Sequence, residues 1–207
     1  MRTLVIASQK GGVGKTTLAG HLGVMAEQRG EGPVALVDCD PQGSLASWWN
    51  EREAEAPLFA SVQIDSLGAH LQALARAGVK LAIIDTPPAV TDLIRQVLQL
   101  ADLVLIPTRP SPHDLRAVGT TVDLVEQAGK RMVFVINGAA VRARIAGEAA
   151  VALSQHGTVA PVTLYQRTDF ASSMIDGRTV QEINSKGRST LEIEALWKYV
   201  SAQLRKV

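Results

Sequence analysis

Residues 10–17, Lys10-Gly-Gly-Val-Gly-Lys-Thr-Thr17, gather the chemistry of phosphate binding into eight positions. Gly11, Gly12 and Gly14 carry no side chain, so the backbone there can take left-handed dihedrals and close its N–H groups around phosphate oxygens. Lys15 is placed to neutralise charge on β- and γ-phosphates, and the Thr16 hydroxyl can ligate Mg²⁺. The context agrees: a β-branched run, Arg2–Ser8, precedes the loop and a helical pattern from Lys15 follows it. That helix adds the positive end of its dipole to the same anion. The general pattern Gly-x-x-x-x-Gly-Lys-Ser/Thr asks for glycine at position 9, where this chain has Gln9, and a second lysine, Lys10, stands beside it. The expected nucleotide contacts are therefore Lys10, Gly11, Gly12, Val13, Gly14, Lys15, Thr16 and Thr17.

Two apolar runs end in acids. Val34-Ala35-Leu36-Val37 leads into Asp38-Cys39-Asp40-Pro41-Gln42-Gly43, and Leu81-Ala82-Ile83-Ile84 leads into Asp85-Thr86-Pro87-Pro88. Each delivers carboxylates to the C-terminal end of a strand, where open α/β sheets bind ligands. Asp85 has the setting of an acid that holds Mg²⁺ through water. An acid after an apolar strand can equally be a cap or turn residue. Three motifs in the right order favour the metal reading, with Thr16, Asp38, Asp40 and Asp85 as its candidates.

These residues need a scaffold that brings strand ends together. Short β-branched runs alternate with amphipathic stretches, which predicts a parallel sheet covered by helices. Strands are expected at Arg2–Ser8, Val34–Asp38, Ser61–Ile64, Leu81–Asp85, Leu103–Pro107, Met132–Asn137 and Val159–Leu164. Helices are expected at Lys15–Arg29, Ser44–Glu53, Leu67–Ala77, Asp92–Leu100, Pro112–Gln127, Arg144–His156 and Ser189–Leu204. The fold expected is α/β, a single doubly wound, mainly parallel sheet with helices on both faces, as in P-loop NTPases. With 207 residues, 46% of them apolar, and no repeat or long linker, residues 1–207 read as one domain.

No apolar run approaches the roughly 20 residues that cross a bilayer, and the run before Lys10 is too short for a secretory signal. The expected location is cytoplasmic. One cysteine, Cys39, excludes an internal disulfide or an iron–sulfur cluster within one subunit. The formal charge is +1, but unevenly spread. Residues 1–108 hold 8 Lys/Arg against 11 Asp/Glu, and residues 109–207 hold 13 against 9. An ordinary solvated surface and a basic face for nucleic acid both fit that split.

The loop with its extra Lys10 resembles the deviant Walker A motif of the ParA/MinD family of P-loop ATPases. The resemblance covers nearly the whole chain and is closest to small ParA-type partition ATPases without an N-terminal helix-turn-helix. It implies that Lys10 reaches across a dimer interface to the partner's nucleotide, that Asp40 orients or activates the attacking water, and that Asp38 supports the metal shell. Lys10, Lys15 and Asp40 are then the catalytic set, with ATP and Mg²⁺ as cofactors. Ile106-Pro107-Thr108-Arg109-Pro110-Ser111-Pro112-His113-Asp114-Leu115 resembles the family's dimer face, and the stretch from Gln166 to Glu182 resembles its region near the base and the DNA face. Several relatives place an Asn and a downstream Asp near adenine; here Asn137 is present but Ala140 stands where that Asp would be.

The resemblance further implies an ATP-dependent homodimer, nonspecific binding to double-stranded DNA with nucleoid association when ATP is bound, and a ParB-like or cargo-adaptor protein that stimulates hydrolysis. Phosphate contacts for DNA are expected from Arg142, Arg144, Arg167, Lys186 and Arg188, with Arg205 and Lys206 added, as a set on one dimer face. Two other readings stay open. A MinD-like membrane switch would use Leu191–Val207 as an amphipathic anchor, although Glu192 and Glu194 oppose an anionic surface and the stripe suits core packing. A metabolic ATP-dependent synthase of the same fold would need an organic-substrate pocket, for which no insertion is evident. Trp48 and Trp49 read as packing residues.

Overall fold

The computed structural model of the protein describes residues 1–88 and 92–206. Its elements run β1 (Arg2–Ile6), α1 (Lys15–Gln28), β2 (Val34–Asp38), α2 (Ser44–Asn50), β3 (Leu58–Ser61), α3 (Leu67–Arg76), β4 (Leu81–Asp85) and α4 (Asp92–Gln99). They continue as β5 (Leu103–Thr108), α5 (Pro112–Gln127), β6 (Met132–Ala139), α6 (Ile145–Ser154), β7 (Thr158–Tyr165), α7 (Thr168–Ser173), α8 (Val180–Ile183) and α9 (Arg188–Leu204). The seven strands form one sheet in the order β3-β2-β4-β1-β5-β6-β7. Every ladder is parallel.

Alternation along the strands divides the core between the two faces. Leu4, Ile6, Leu36, Ile83, Leu103 and Leu105 point to the side covered by α1 and α9, where Leu18, Leu22, Trp48 and Trp197 complete the layer. Val5, Val37, Ile84, Val104 and Ile106 point to the opposite side, against Leu67, Val97, Val118, Val122 and Leu153 of the other helices. Strands buried on both faces read as continuous apolar runs, which is why β1, β2, β4 and β5 are visible in the sequence.

Helix α1 lies close against its neighbours because it is glycine-rich on that face. A Cβ at Gly23 would stand 2.6 Å from the Leu36 side chain. Helix α9 buries Ile193, Leu196, Trp197, Val200 and Leu204 at helical spacing. Its apolar stripe is thus core, while Leu191 remains 55% exposed. Val207, the end of the expected terminal segment, lies outside the described residues. Trp48 donates its indole N–H to the Arg178 carbonyl, and Trp49 stacks on Phe59.

The third strand differs from the sequence expectation of Ser61–Ile64. It is one of the two edge strands and, among the described residues, pairs only with β2, from Ala35↔Leu58 to Asp38↔Ser61. Since β2 ends at Asp38, residues beyond Ser61 have little backbone left to pair with. Val62 N–H takes the Asp38 carbonyl and the chain turns through a 3₁₀ segment, Ile64–Ser66, into α3. Helices α7 and α8, of 6 and 4 residues, were not expected, being too short for a helical period to register.

Candidate functional site

The sheet register places the expected site. Ile6, Asp85 and Asp38 are partners across β1, β4 and β2, so the three strands end at one level. The glycine loop leaves β1 there and enters α1. Gly14 caps that helix in the left-handed region, φ +91°, and a Cβ on it would run into the Asn137 amide. Asn137, at the end of β6, donates from Nδ2 to the Val13 carbonyl at 2.6 Å. Four strands therefore contribute to the loop's position or its surroundings, although they are distant in sequence.

At the loop's far end, Thr16 Oγ1 donates to Asp85 Oδ2 at 2.6 Å. Asp85 is 1% exposed, and among the described residues its Oδ1 has no hydrogen-bond partner. Burial pushes its pKa up to about 7; the Thr16 bond opposes this, Asp38's charge reinforces it, and Lys15 also opposes it. Burial likewise lowers the pKa of Lys15, against the pull of Asp85 and Asp40. An orphaned buried carboxylate oxygen beside a threonine hydroxyl suits a hard cation with oxygen ligands, and Mg²⁺ characteristically keeps waters there. No cluster of three or more His, Cys, Asp or Glu among the described residues could enclose a metal alone. A cation here would complete its shell from phosphate and water.

Asp38 has a different occupation. Its Oδ1 accepts the Asp40 N–H at 3.0 Å and its Oδ2 accepts the Ala46 N–H at 2.9 Å, so it fastens the loop entering α2. Burial raises its pKa, and these N–H donors oppose that rise. Asp40 is half-buried and accepts the Gln42 N–H at 3.0 Å. It lines a cavity of about 640 Å³ with Lys15, Thr16, Ser44 and Pro88. Cys39 is 5% exposed with its thiol pushed up to about 12, chiefly by burial, so it is an inert packing residue.

The loop separates this cavity from another of about 300 Å³ on the β6–β7 side. Its walls include Asn137, Tyr165, Phe170 and Arg109, together with Gly12, Gly14 and Thr17. Arg109 and Tyr165 were not expected in these walls: Arg109 lies in the stretch that resembles a dimer face, and Tyr165 just past the expected end of its strand. Lys10 and Gly11 are exposed on the rim, where Lys10 N–H meets Ser8 Oγ at 3.3 Å. Thr17 is tied from below: its carbonyl lies 2.7 Å from His21 Nδ1.

The cations expected to face DNA do not form one set. Arg142 and Arg144 are exposed after β6, and Lys186 just before α9 and Arg188 at its first position are also exposed. Arg167 instead pairs with Glu192 at 2.7 Å, lies over the Tyr165 ring and lines the smaller cavity. Arg205 pairs with Glu31 at 3.1 Å beside the strand starts, at the opposite end of the sheet, and Lys206 follows it there. Helix α9 spans the sheet, so residues at its two ends cannot share the face expected of them.

A glycine loop between the central strand of a parallel α/β sheet and the next helix, with a Thr–Asp pair at its mouth, defines a phosphate-loop nucleotide-binding protein. Residues 4–180 match the CobQ/CobB/MinD/ParA nucleotide binding domain, and the chain belongs to that family. It is 31% identical over 201 residues to maintenance of carboxysome distribution protein A of Halothiobacillus neapolitanus, covering 92% of this chain and 91% of that one. It is 27% identical to protein ParA of Rhizobium radiobacter, covering 100% and 98%. The fold matches the septum site-determining protein MinD of Pyrococcus horikoshii, solved with Mg-ADP, at a TM-score of 0.80 and 15% identity over 96% and 95% of the chains. Among the described residues no helix is long and apolar enough to cross a membrane.

Proposed function

We propose that the chain is a ParA-type Mg²⁺-dependent ATPase that dimerises with ATP, binds DNA nonspecifically and positions a cargo, with a partner protein stimulating hydrolysis. The observation that carries this is one cavity lined by Lys15, Thr16 and Asp40, with the orphaned Asp85 oxygen behind Thr16. Lys15 neutralises the phosphates and Thr16 and Asp85 hold Mg²⁺, which when bound offsets charge on the β- and γ-oxygens. Asp40 positions water in line; the water oxygen bonds to the γ-phosphorus as the β–γ bridging bond breaks, giving ADP and phosphate. The exposed side chain of Lys10 suits a cation supplied to a second subunit's nucleotide. Asn137, Tyr165 and Phe170 surround the space beyond the loop that suits the nucleoside.

Relatives named for carboxysome distribution and for chromosome partitioning support a positioning role. Arg142, Arg144, Lys186 and Arg188 are the remaining exposed candidates for DNA phosphates. The test is binding of purified protein to nonspecific duplex DNA with ATP, ADP or no nucleotide across several salt concentrations, with anionic liposomes in parallel. Tight, salt-sensitive binding with ATP alone is expected. Liposome capture without DNA binding would replace this with a membrane switch, and neither would point to a metabolic ATPase. Asp40→Ala should bind ATP and accumulate as a dimer without turnover; undiminished turnover would remove Asp40 from the mechanism.

A further inference from the structure

At the end of the sheet opposite the glycine loop, the starts of β1 and β4 and the ends of α1 and α9 enclose a cavity of about 530 Å³. Arg2, Arg29, Lys80 and Arg205 line it, together with the carboxylate of Glu31. Two acids answer two of these cations: Glu194 pairs with Arg29, and Glu31 with Arg205. Arg2 and Lys80 are exposed and have no acidic partner among the described residues. Their positions are fixed by backbone bonds that cross three segments, Arg2 N–H to the Lys80 carbonyl at 2.8 Å and Lys80 N–H to the Pro33 carbonyl at 2.9 Å. Trp197 also lines the cavity; it is 2% exposed, and its indole N–H finds no acceptor among the described residues.

We propose that this underside cavity is a binding site for a small phosphate-bearing anion, separate from the nucleotide loop. Arginine forks and a lysine around one concavity match phosphate oxygens in both charge and geometry. The volume lies in the range of small-molecule sites. Trp197 forms part of the wall, so its indole resonance reports on what enters. A small anion is favoured over a duplex because these cations line a concavity of about 530 Å³, which phosphate or pyrophosphate can enter and the rod of a duplex can meet only at its rim. The occupant would join α9 to the start of β1 and the end of α1, the two elements that flank the glycine loop.

The test follows the Trp197 indole ¹H–¹⁵N resonance, assigned by its absence in Trp197→Phe, during titration with inorganic phosphate and with pyrophosphate. Saturating MgADP occupies the glycine loop throughout, and Lys15→Ala is titrated in parallel. A saturable shift is expected with either probe, persisting in Lys15→Ala and weakened at least about tenfold in the double variant Arg2→Ala, Lys80→Ala. That variant should bind nucleotide at the loop as before, since neither residue touches it. A shift that never saturates, or one that ignores the double variant, overturns the site. A short DNA duplex that moves the resonance where phosphate and pyrophosphate do not would overturn the small-anion reading in favour of nucleic acid. Should Trp197→Phe fail to fold, the loss of the saturable indole shift in the double variant carries the test alone.

Discussion

Asn137 shows how one side chain can hold a reading the sequence leaves open. The family resemblance places Asn137 near adenine, whereas its amide donates to the Val13 carbonyl inside the phosphate loop. If tethering the loop is its work, Asn137→Ala should weaken ATP and GTP binding alike, by about tenfold each, the worth of one lost hydrogen bond in a closed site. Titration of fluorescent nucleotides checks this; a loss confined to ATP would return Asn137 to base recognition. The same scale explains Asp38, a residue of motif rank whose two oxygens are consumed by the N–H groups of Asp40 and Ala46. Hydrogen-bond direction around a carboxylate depends on where the chain turns next, and no spacing rule encodes it.

Among the elements, α8 is only four residues long yet gathers two buried polar anchors. His21 of α1 is fully buried, with Nδ1 on the Thr17 carbonyl and Nε2 accepting the Val180 N–H at 3.3 Å, which fixes the neutral Nδ1–H form. Burial lowers its pKa from 6.5 to about 4, outweighing Thr17 and Glu182. The unfolded chain therefore binds the extra proton first, and stability present above pH 6.5 is lost as the pH falls toward 4, by up to about 3 kcal/mol. Asp85 acts with the opposite sign, its raised pKa removing stability as the pH rises toward 7. The difference between wild type and His21→Gln in urea unfolding isolates the histidine: it should shrink on acidification, and a difference independent of pH would contradict the buried neutral form. Arg52 is the second anchor. Its side chain, 2% exposed, pairs with both oxygens of Glu182 and donates to the Gly177 carbonyl while lying over Trp48. Arg52→Ala strands Glu182 and should cost about 3–5 kcal/mol in urea unfolding; a loss under about 1 kcal/mol would mean that water replaces the pair.

For the whole molecule, α9 decides between an anchor and a wall. Its buried face packs on β7 and α1, so removing residues 188–207 should abolish cooperative thermal unfolding, whereas a dispensable membrane helix would leave the melt intact. The sequence by itself determined the glycine loop, the two acid-terminated strands and the doubly wound parallel sheet, because those rest on local backbone freedom and on apolar runs buried from both sides. It also determined the family, since the extra Lys10 and the loop are contiguous. Only the tertiary structure decided the true position of β3, set by where β2 stops offering partners, and the existence of α7 and α8, held by His21 and Arg52 rather than by period. It alone split the basic residues between two ends of the sheet and assembled Arg2, Lys80 and Trp197 around one cavity, because strand order and helix direction, neither of them local properties, bring residues 195 positions apart in the chain to a common wall.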